Sequence, residues 1–304
     1  MKLIVTGSES FIGTVLRGYC RAKQIEVIGI DARSSDDPGH LHLDIRSPHL
    51  QDALPLGAEA LVHLAAISRD PNCRSNPQAA FDVNVGGTLN LIQAAQAKRV
   101  KQFIFASSEW VYGETLDSEA QREDAAIDIN RISSEYALTK LVGERVLAMA
   151  HQRGFCPVTV LRFGIVYGPR PPAAWSAVEA LFEAVRTQDT VEVKGSLRTA
   201  RRFIHVTDIA RGILAALGRS SYEIFNLSGD ALITLQDIIA QSALLLNRRP
   251  RVIERNPAAV SLRNPDNRKA REVLGWAPQV GLKEGLGTLL PTQTEVLDGT
   301  RVHG

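Results

Sequence analysis

Tyr136 and Lys140 form the pattern in this sequence that is best suited to chemistry. In the stretch YALTK, the i, i+4 spacing puts the phenol and the ammonium on one face of a helix. A cation in that position stabilises a phenolate and lowers the pKa of the tyrosine toward neutrality, so that it can accept an alcohol proton. The alternative is an ordinary solvated pair on a helix surface.

A pair of serines precedes this helix in the stretch FASSEWVYG, residues 105–113. An apolar strand runs there into a Ser-Ser turn, from which a hydroxyl can reach the same substrate oxygen as Tyr136. The hydroxyl, the phenol and the ammonium together predict an enzyme. A protein that only senses a dinucleotide has no need for all three.

A glycine-rich turn, TGSESFIG, stands close to the start of the chain. Gly7 and Gly13 take the first and third positions of a phosphate-binding turn, between a strand and a helix that begins near Ser10. Backbone N–H groups at such a helix end attract a pyrophosphate. By itself, the pattern equally fits a plain strand-to-helix turn.

Asp31 supplies the second half of a dinucleotide pattern, because it closes the next predicted strand. A carboxylate at that point accepts hydrogen bonds from both ribose hydroxyls of an adenosine. It also repels a 2′-phosphate, so NAD is favoured over NADP, although the neighbouring Arg33 argues the other way.

Two residues of the turn are unexpected. Ser10 stands where a third glycine is usual, and would cost about 1 kcal/mol if its φ were positive. Its hydroxyl can instead cap the helix or donate to a phosphate. The carboxylate of Glu9 would repel a pyrophosphate, so we expect it to point to solvent.

Short apolar runs alternate with longer amphipathic stretches along the first half of the chain. The runs are 2–7, 26–31, 60–65, 102–107 and 158–164, and the predicted helices between them are 11–23, 78–98 and 134–151. This rhythm predicts an α/β fold with a doubly wound parallel (Rossmann-type) sheet.

The pattern changes after residue 165, where a proline-rich loop (168–175) and a helix (176–186) follow. We expect a dinucleotide-binding domain over 1–165, with 203–229 returning to its sheet. A smaller, interleaved C-terminal substrate lobe takes 166–202 and 230–290, with helices at 232–247 and 267–274, and a polar tail covers 291–304.

Composition excludes some partners. The 304 residues are 44% hydrophobic and 22% charged with a net charge of +2, so nothing indicates binding to nucleic acid or a membrane. The N-terminus enters a strand at once, which leaves no room for a signal peptide, and three scattered cysteines (Cys20, Cys73 and Cys156) predict a reducing cytoplasm. His40, His42 and His49 lack nearby cysteines, so we expect surface loop residues and no metal site.

The sequence resembles the extended short-chain dehydrogenase/reductase family, in its NAD-dependent nucleotide-sugar epimerase/dehydratase branch. The resemblance covers nearly the whole chain. Besides TGSESFIG, Asp31, SSEWVYG and YALTK, it is carried by LDIRS (43–47), HLAA (63–66), DVNVGGTLN (82–90), LRFGIVYGPR (161–170), RRFIHVTDIA (201–210), FNLSG (225–229) and DNRKAREVLGWAP (266–278).

The resemblance implies roles for individual residues. Tyr136 is the general base, Lys140 its electrostatic partner and a ribose ligand, and Ser108 the hydroxyl that holds the substrate oxygen. The other implied NAD contacts are Gly7, Ser10, Phe11, Ile12, Gly13, Asp31, Asp44, Ile45, Leu64, Ala65, Ala66, Asn84 and Phe163. The implied substrate contacts are Ser68, Glu109, Ile165 and Arg201, of which Arg201 holds a diphosphate unless it is merely a surface arginine.

The sequence departs from the family pattern near the substrate. Dehydratases of this branch carry an Asp-Glu pair after the catalytic hydroxyl, but here the positions hold Glu109 and Trp110. An indole cannot act as a base, so a dehydratase is disfavoured. Ile165 replaces a diphosphate-binding asparagine and Arg202 replaces an acidic residue, which leaves open a different anionic substrate.

The leading interpretation is a sugar-nucleotide epimerase that oxidises a sugar hydroxyl transiently. The alternative is an NAD-dependent dehydrogenase or reductase of a sugar, sugar acid or small alcohol, with net redox. The resemblance also implies a homodimer in which helices 78–98 and 134–151 pair. The apolar stripe that includes Leu138, Leu141 and Val142 is consistent with this, and equally with packing onto the sheet.

Overall fold

The computed structural model describes residues 1–114, 119–170 and 176–290. The predicted polar tail and most of the predicted proline-rich loop therefore lie outside the described residues. The strands, numbered along the chain, are β1 (Lys2–Thr6), β2 (Glu26–Asp31), β3 (His40–His42), β4 (Ala60–His63), β5 (Phe103–Ser108), β6 (Val158–Phe163), β7 (Val166–Tyr167), β8 (Thr190–Val193), β9 (Ala200–Arg201), β10 (Ile204–His205), β11 (Tyr222–Leu227), β12 (Ile233–Thr234) and β13 (Arg251–Glu254).

The helices alternate with these strands. They are α1 (Phe11–Ala22), α2 (Leu50–Ala53), α3 (Asp70–Ser75), α4 (Pro77–Phe81), α5 (Gly87–Ala97), α6 (Glu135–Gln152), α7 (Ala177–Thr187), α8 (Val206–Ala215), α9 (Leu235–Leu246), α10 (Arg268–Leu274) and α11 (Leu282–Gly287). A π-helical turn, Asp82–Gly86, joins α4 to α5, and a 3₁₀ turn, Glu109–Tyr112, follows β5.

Seven parallel strands form the central sheet in the order β11-β6-β5-β4-β1-β2-β3. Neighbouring residues of β1 point to opposite faces, because side chains alternate along a strand. Leu3 and Val5 belong to the core that contains Leu16 of α1, whereas Ile4 belongs to the core that contains Leu147 of α6. Helices therefore cover both faces, which confirms the predicted α/β class.

The strand order reverses at β1, which pairs with β2 on one side and with β4 on the other. At such a switch point, the loops leaving the two strands diverge and open a crevice at the carboxyl edge of the sheet. Ligands of open α/β sheets bind in this crevice, so the topology itself places the candidate site.

A second set of elements packs beyond this edge. Phe182 of α7, Ile238 of α9 and Leu286 of α11 share a small core, and the short pairs β8–β13 and β9–β12 border it. In the described part of the chain, no helix is both long and apolar enough to cross a bilayer.

The expectation of surface loop histidines is wrong for His40. This residue opens β3, its side chain is only 2% exposed, and its Nε2 lies 2.9 Å from the carbonyl oxygen of Arg33. The strand forms because β2 offers an edge for pairing, with Gly29 opposite His40.

Candidate active site

A cavity of about 1270 Å³ opens at the switch point. Both the glycine turn and the Tyr136–Lys140 pair line it. Sites for one drug-sized ligand usually measure roughly 300–1,000 Å³. The cavity therefore has room for more than one small molecule.

The glycine turn has the geometry of a helix cap. Ser10 has φ −70° and ψ 166°, and its Oγ accepts a hydrogen bond from the backbone N–H of Gly13 at 3.1 Å. Gly7 has a φ of +70°, which a residue with a side chain adopts at a cost. Ser10 does not carry the energetic cost of a positive φ, because its own backbone is extended.

Gly13 lies beneath the turn rather than on the cavity wall. A Cβ added there would stand 2.2 Å from the carbonyl oxygen of Gly7, so only glycine permits this close packing. The turn then presents Gly7, Ser10, Phe11 and Ile12 to the cavity. Backbone N–H groups at the start of α1 thus face the space where a pyrophosphate would bind.

The expectation that Glu9 points to solvent is wrong. Its side chain is 16% exposed, and its Oε1 lies 2.6 Å from Nη1 of Arg17. Arg17 is largely buried on α1, and a buried guanidinium is costly without a counter-charge. Pairing with Arg17 therefore determines where Glu9 points.

Asp31 is fixed at the end of β2 by two backbone donors. Its Oδ2 accepts from the N–H of Glu9 and its Oδ1 from the N–H of Arg33, both at 3.0 Å. The carboxylate is 8% exposed and lines the cavity, and the guanidinium of Arg33 lies 3.3 Å away. A carboxylate held this way suits a ribose diol.

Most of the remaining expected cofactor residues also line the cavity. They are Asp44, Ile45, Leu64, Ala65, Ala66 and Phe163. A helix end that presents N–H groups, a fixed carboxylate and apolar walls make a donor set that fits NAD.

Asn84 lies behind the wall instead. Its Oδ1 accepts from the N–H of Ile67 at 2.8 Å, and its Nδ2 donates to the carbonyl of Ile67 and to Oγ1 of Thr139, both at 3.0 Å. The side chain is 3% exposed, and these bonds use its amide within the protein. Asn84 thus joins the β4 loop to α6, and its contact with the cavity is indirect.

Ser108, Tyr136 and Lys140 meet in the cavity wall. Helix α6 begins at Glu135 because Ser134 caps it, with its Oγ accepting from the N–H of Ala137 at 3.3 Å. Tyr136 is therefore in the first turn, where its phenol reaches a hydrogen bond with Ser108 at the end of β5. Lys140, one turn later, has its Nζ 5.8 Å from the centre of the Tyr136 ring.

The pKa of the tyrosine differs from the sequence-based expectation. Burial raises the pKa of Tyr136 to about 12, although its hydrogen bond with Ser108 acts in the opposite direction. Burial also lowers the pKa of Lys140 to about 8. Desolvation is the largest effect on both groups, and the prediction of a near-neutral pKa for Tyr136 is wrong.

One side of the cavity, which we call the arginine wall, is formed by Arg201, Arg263, Trp110 and Glu109. The guanidinium of Arg263 stacks 4.4 Å from the centre of the Trp110 ring, and that ring meets Tyr136 edge-on at 6.3 Å. Arg201, Arg263 and Trp110 line the cavity. Glu109 is fully buried behind them, with its Oε1 3.7 Å from Nε of Arg201 and 3.9 Å from Nη1 of Arg263.

The remaining residues expected to bind substrate are Ser68 and Ile165, and five further arginines divide into two groups. Ser68 and Ile165 line the cavity, and so do Arg69 and Arg170. Arg74, Arg198 and Arg202 do not: Arg74 pairs with Asp70 at 2.9 Å, and Arg198 donates to the carbonyl of Pro257. Arg202 donates instead to the carbonyls of Gly229 and Asp230.

Sequence reasoning missed Arg263 and the role of Trp110. Arg263 stands just before the motif that begins at Asp266, and it reaches the cavity because its Nε donates to the carbonyl of Gly113 at 3.1 Å. Trp110 was noticed only as a residue that cannot be a base. No local spacing connects the two, since they come from distant segments.

Comparison with known proteins agrees with this geometry. The model of the NAD dependent epimerase/dehydratase family matches residues 3–228. The chain belongs to this family. NAD is the family's cofactor, which confirms the predicted cofactor and enzyme class.

Individual relatives match along almost the full chain. A UDP-glucose 4-epimerase of Mycolicibacterium smegmatis is 30% identical, over 94% of this chain and 96% of its own length. UDP-glucuronic acid decarboxylase 1 of Arabidopsis thaliana is 29% identical, over 94% of this chain and 68% of its own. The structure of MoeE5 in complex with UDP-glucuronic acid and NAD has a TM-score of 0.84 at 29% identity, covering 95% of this chain and 97% of that chain.

Proposed function

We propose that the protein is an NAD-dependent epimerase of a nucleotide sugar, with Tyr136 as the base in a transient oxidation. One observation carries this: the Ser108–Tyr136 pair and the arginine wall share a cavity, and the Trp110 ring contacts both Tyr136 and Arg263. That arrangement suits a sugar ring whose hydroxyl meets the phenol while its diphosphate meets the arginines. UDP-sugar epimerases among the relatives support the same substrate class.

The residues around the turn and Asp31 would hold the adenosine and pyrophosphate of NAD. When bound, NAD would supply the oxidant, as an acceptor for the hydride of the sugar carbon that later returns to the sugar. Ser108 would donate to the sugar oxygen and fix it against the phenol of Tyr136. Tyr136 would take the hydroxyl proton and later give it back, and Lys140 would stabilise the phenolate while it lasts.

Inversion requires the oxidised sugar to turn before hydrogen returns to its other face. The cavity is wide, although Gly164 at its wall adds no space, because a Cβ there would stand 2.5 Å from the carbonyl oxygen of Arg202. The arginines would meanwhile hold the diphosphate, so the sugar turns about a fixed anchor. Arg201 and Arg263 suit this task, because guanidinium groups keep their positive charge and donate hydrogen bonds to phosphate oxygens.

Net redox of a sugar or small alcohol is the second candidate, and Ile165 favours it. An isoleucine lines the cavity where the family has a diphosphate-binding asparagine, so one anchoring donor is lost. Incubation with NAD and UDP-glucose, UDP-galactose or UDP-glucuronate distinguishes the candidates. An epimerase converts the sugar, seen by NMR, without sustained absorbance of NADH. Sustained NADH would overturn the epimerase, and release of carbon dioxide from UDP-glucuronate would indicate a decarboxylase instead.

We also propose a homodimer built on α5 and α6. Leu89 of α5 is 45% exposed and Met149 of α6 is 43% exposed, and large apolar side chains on two adjacent helices suit a partner. The division into a dinucleotide domain and a substrate lobe at 166–202 and 230–290, and a cytoplasmic location, remain proposals. Sedimentation of the native protein and of the Met149→Lys variant tests the dimer, which the variant should weaken.

A further inference from the structure

Glu109 is a buried carboxylate that no described residue hydrogen-bonds. It is 0% exposed, and neither Oε1 nor Oε2 has a donor. It follows the catalytic Ser108 directly and begins the 3₁₀ turn. An ionised carboxylate without donors is costly inside a protein, so some feature of the site must compensate it.

Two arginines that lie close to Glu109, but not in hydrogen-bond contact with it, compensate its negative charge. The distances from Oε1 to Nε of Arg201 and Nη1 of Arg263, 3.7 and 3.9 Å, are too long for hydrogen bonds. Two more carboxylates act on the arginines: Glu114, 53% exposed, lies 3.1 Å from Arg263 and 4.0 Å from Arg201, and Asp70 acts on Arg263.

The other nitrogen atoms of both guanidinium groups already donate hydrogen bonds within the protein. Arg201 donates from Nη1 to the carbonyls of Ala200 and Ser261, and from Nη2 to Oγ of Ser261. Arg263 donates from Nε to Gly113 and from Nη2 to Glu114. Within the described chain, the groups without a hydrogen bond are Nε of Arg201 and Nη1 of Arg263, and these are the ones that approach Glu109.

A diphosphate arriving at the arginine wall would therefore compete with Glu109 at these two nitrogen atoms. Its negative charge would also lie close to the buried carboxylate. We propose that Glu109 balances Arg201 and Arg263 in the free enzyme and takes up a proton from solvent when a diphosphate group binds to these arginines. This inference rests on the proposed function, since it assumes a diphosphate-bearing substrate.

The charge state of Glu109 gives the sign of the effect. Burial raises its pKa to about 7, while Arg263 and Arg201 oppose that rise. A bound diphosphate weakens this opposition and moves the pKa higher still. At about pH 8, the carboxyl is then mostly ionised in the free enzyme and protonated in the complex. Well below pH 7 it is protonated in both, and binding takes up little.

Calorimetric titration of the NAD-loaded protein with UDP-glucose measures this directly. Titrations at pH 8 in HEPES and in Tris, which differ in ionisation enthalpy, give the number of protons exchanged. We expect close to one proton taken up per ligand, and a Kd that rises by up to about tenfold per pH unit above pH 7. Glu109→Gln should abolish the uptake and bind up to about tenfold more tightly than the native protein at pH 8.

Glu114→Gln is the matched control, because Glu114 faces the same arginines from an exposed position; it should retain the uptake. Infrared difference spectra of the native protein provide a second test if Glu109→Gln fails to fold. A protonated-carboxyl band should appear when UDP-glucose binds at pH 8. Binding without proton uptake, uptake unchanged in Glu109→Gln, or absence of the band would overturn this inference alone. Failure of UDP-glucose and UDP-glucuronate to bind would overturn the nucleotide-sugar proposal and this inference with it.

Discussion

The cofactor side of the cavity and the arginine wall would bind negatively charged groups in different ways. The cofactor side, which we define as residues 7–13 with Asp31, offers backbone N–H groups and one fixed carboxylate. The arginine wall offers full positive charges and hides a carboxylate behind them. The first arrangement suits a ligand that remains bound, and the second suits one that enters and leaves.

The difference also shows in how each region is built. The cofactor side arises from one βαβ unit, so the turn and the carboxylate are close in sequence and in space. The arginine wall gathers Trp110, Arg201 and Arg263 from three distant segments. Tyr136 lies where the two regions meet, and substitutions on either side should therefore separate cofactor binding from substrate binding.

The largest expected effect follows from Tyr136→Phe. Loss of the phenol oxygen removes the proposed base but leaves the ring packed against Trp110, so kcat should fall by about 10²–10⁴-fold. The Kd for NAD, measured by fluorescence titration, should stay nearly unchanged. Activity close to that of the native enzyme would show that Tyr136 is not the base.

Arg201→Ala should weaken substrate binding at the arginine wall and leave cofactor binding unchanged. A charge-assisted hydrogen bond contributes about 1.5–3 kcal/mol, so the Kd for UDP-glucose should rise roughly tenfold to a hundredfold. Arg198→Ala is the control, since Arg198 is exposed and does not line the cavity. An equal loss in both variants would mean that net charge, not the wall, governs binding. NAD affinity should be the same in both.

Asp31→Asn should weaken cofactor binding and leave substrate binding unchanged. We expect the Kd for NAD to rise by about tenfold, because a neutral amide holds the ribose diol less strongly. NADP should bind better than it does to the native protein, since the repulsion of its 2′-phosphate is gone. Asp36→Asn, which changes an exposed carboxylate outside the cavity, should leave both affinities alone. A weaker UDP-glucose complex in Asp31→Asn would contradict the separation of the two regions.

Ser10→Gly should have the smallest effect. Because the φ of Ser10 is −70°, glycine relieves no strain there, and the variant loses the cap on Gly13. That loss is worth only a few tenths of a kcal/mol, so NAD affinity should fall by less than about twofold. A large loss would show instead that the hydroxyl binds a phosphate.

The sequence predicted the cofactor side better than the arginine wall, for a physical reason. The turn, Asp31 and the Tyr136–Lys140 pair are local patterns, in which spacing along the chain determines spacing in the fold. The orientation of Glu9 was not predicted, because it depends on an ion pair with Arg17, eight residues further along the chain. The raised pKa of Tyr136 was not predicted either, because desolvation depends on everything that surrounds the phenol.

Distant contacts explain what else was missed. Arg263 joins the wall only because its Nε meets the carbonyl of Gly113, across 150 residues of sequence. His40 is buried because β2 recruits a further strand. Neither contact follows from composition or periodicity. The resemblance to a family predicted a role for Arg201 but none for Arg263.

Isotope retention tests the central claim most directly. UDP-glucose that carries deuterium on carbon 4 of the sugar would be incubated with the protein and NAD, and the sugar products analysed by NMR and mass spectrometry. Transient oxidation with return to the other face predicts UDP-galactose that keeps its deuterium on carbon 4, with no label in free NADH. Deuterium that appears in free NADH, or that is lost to water, would contradict it.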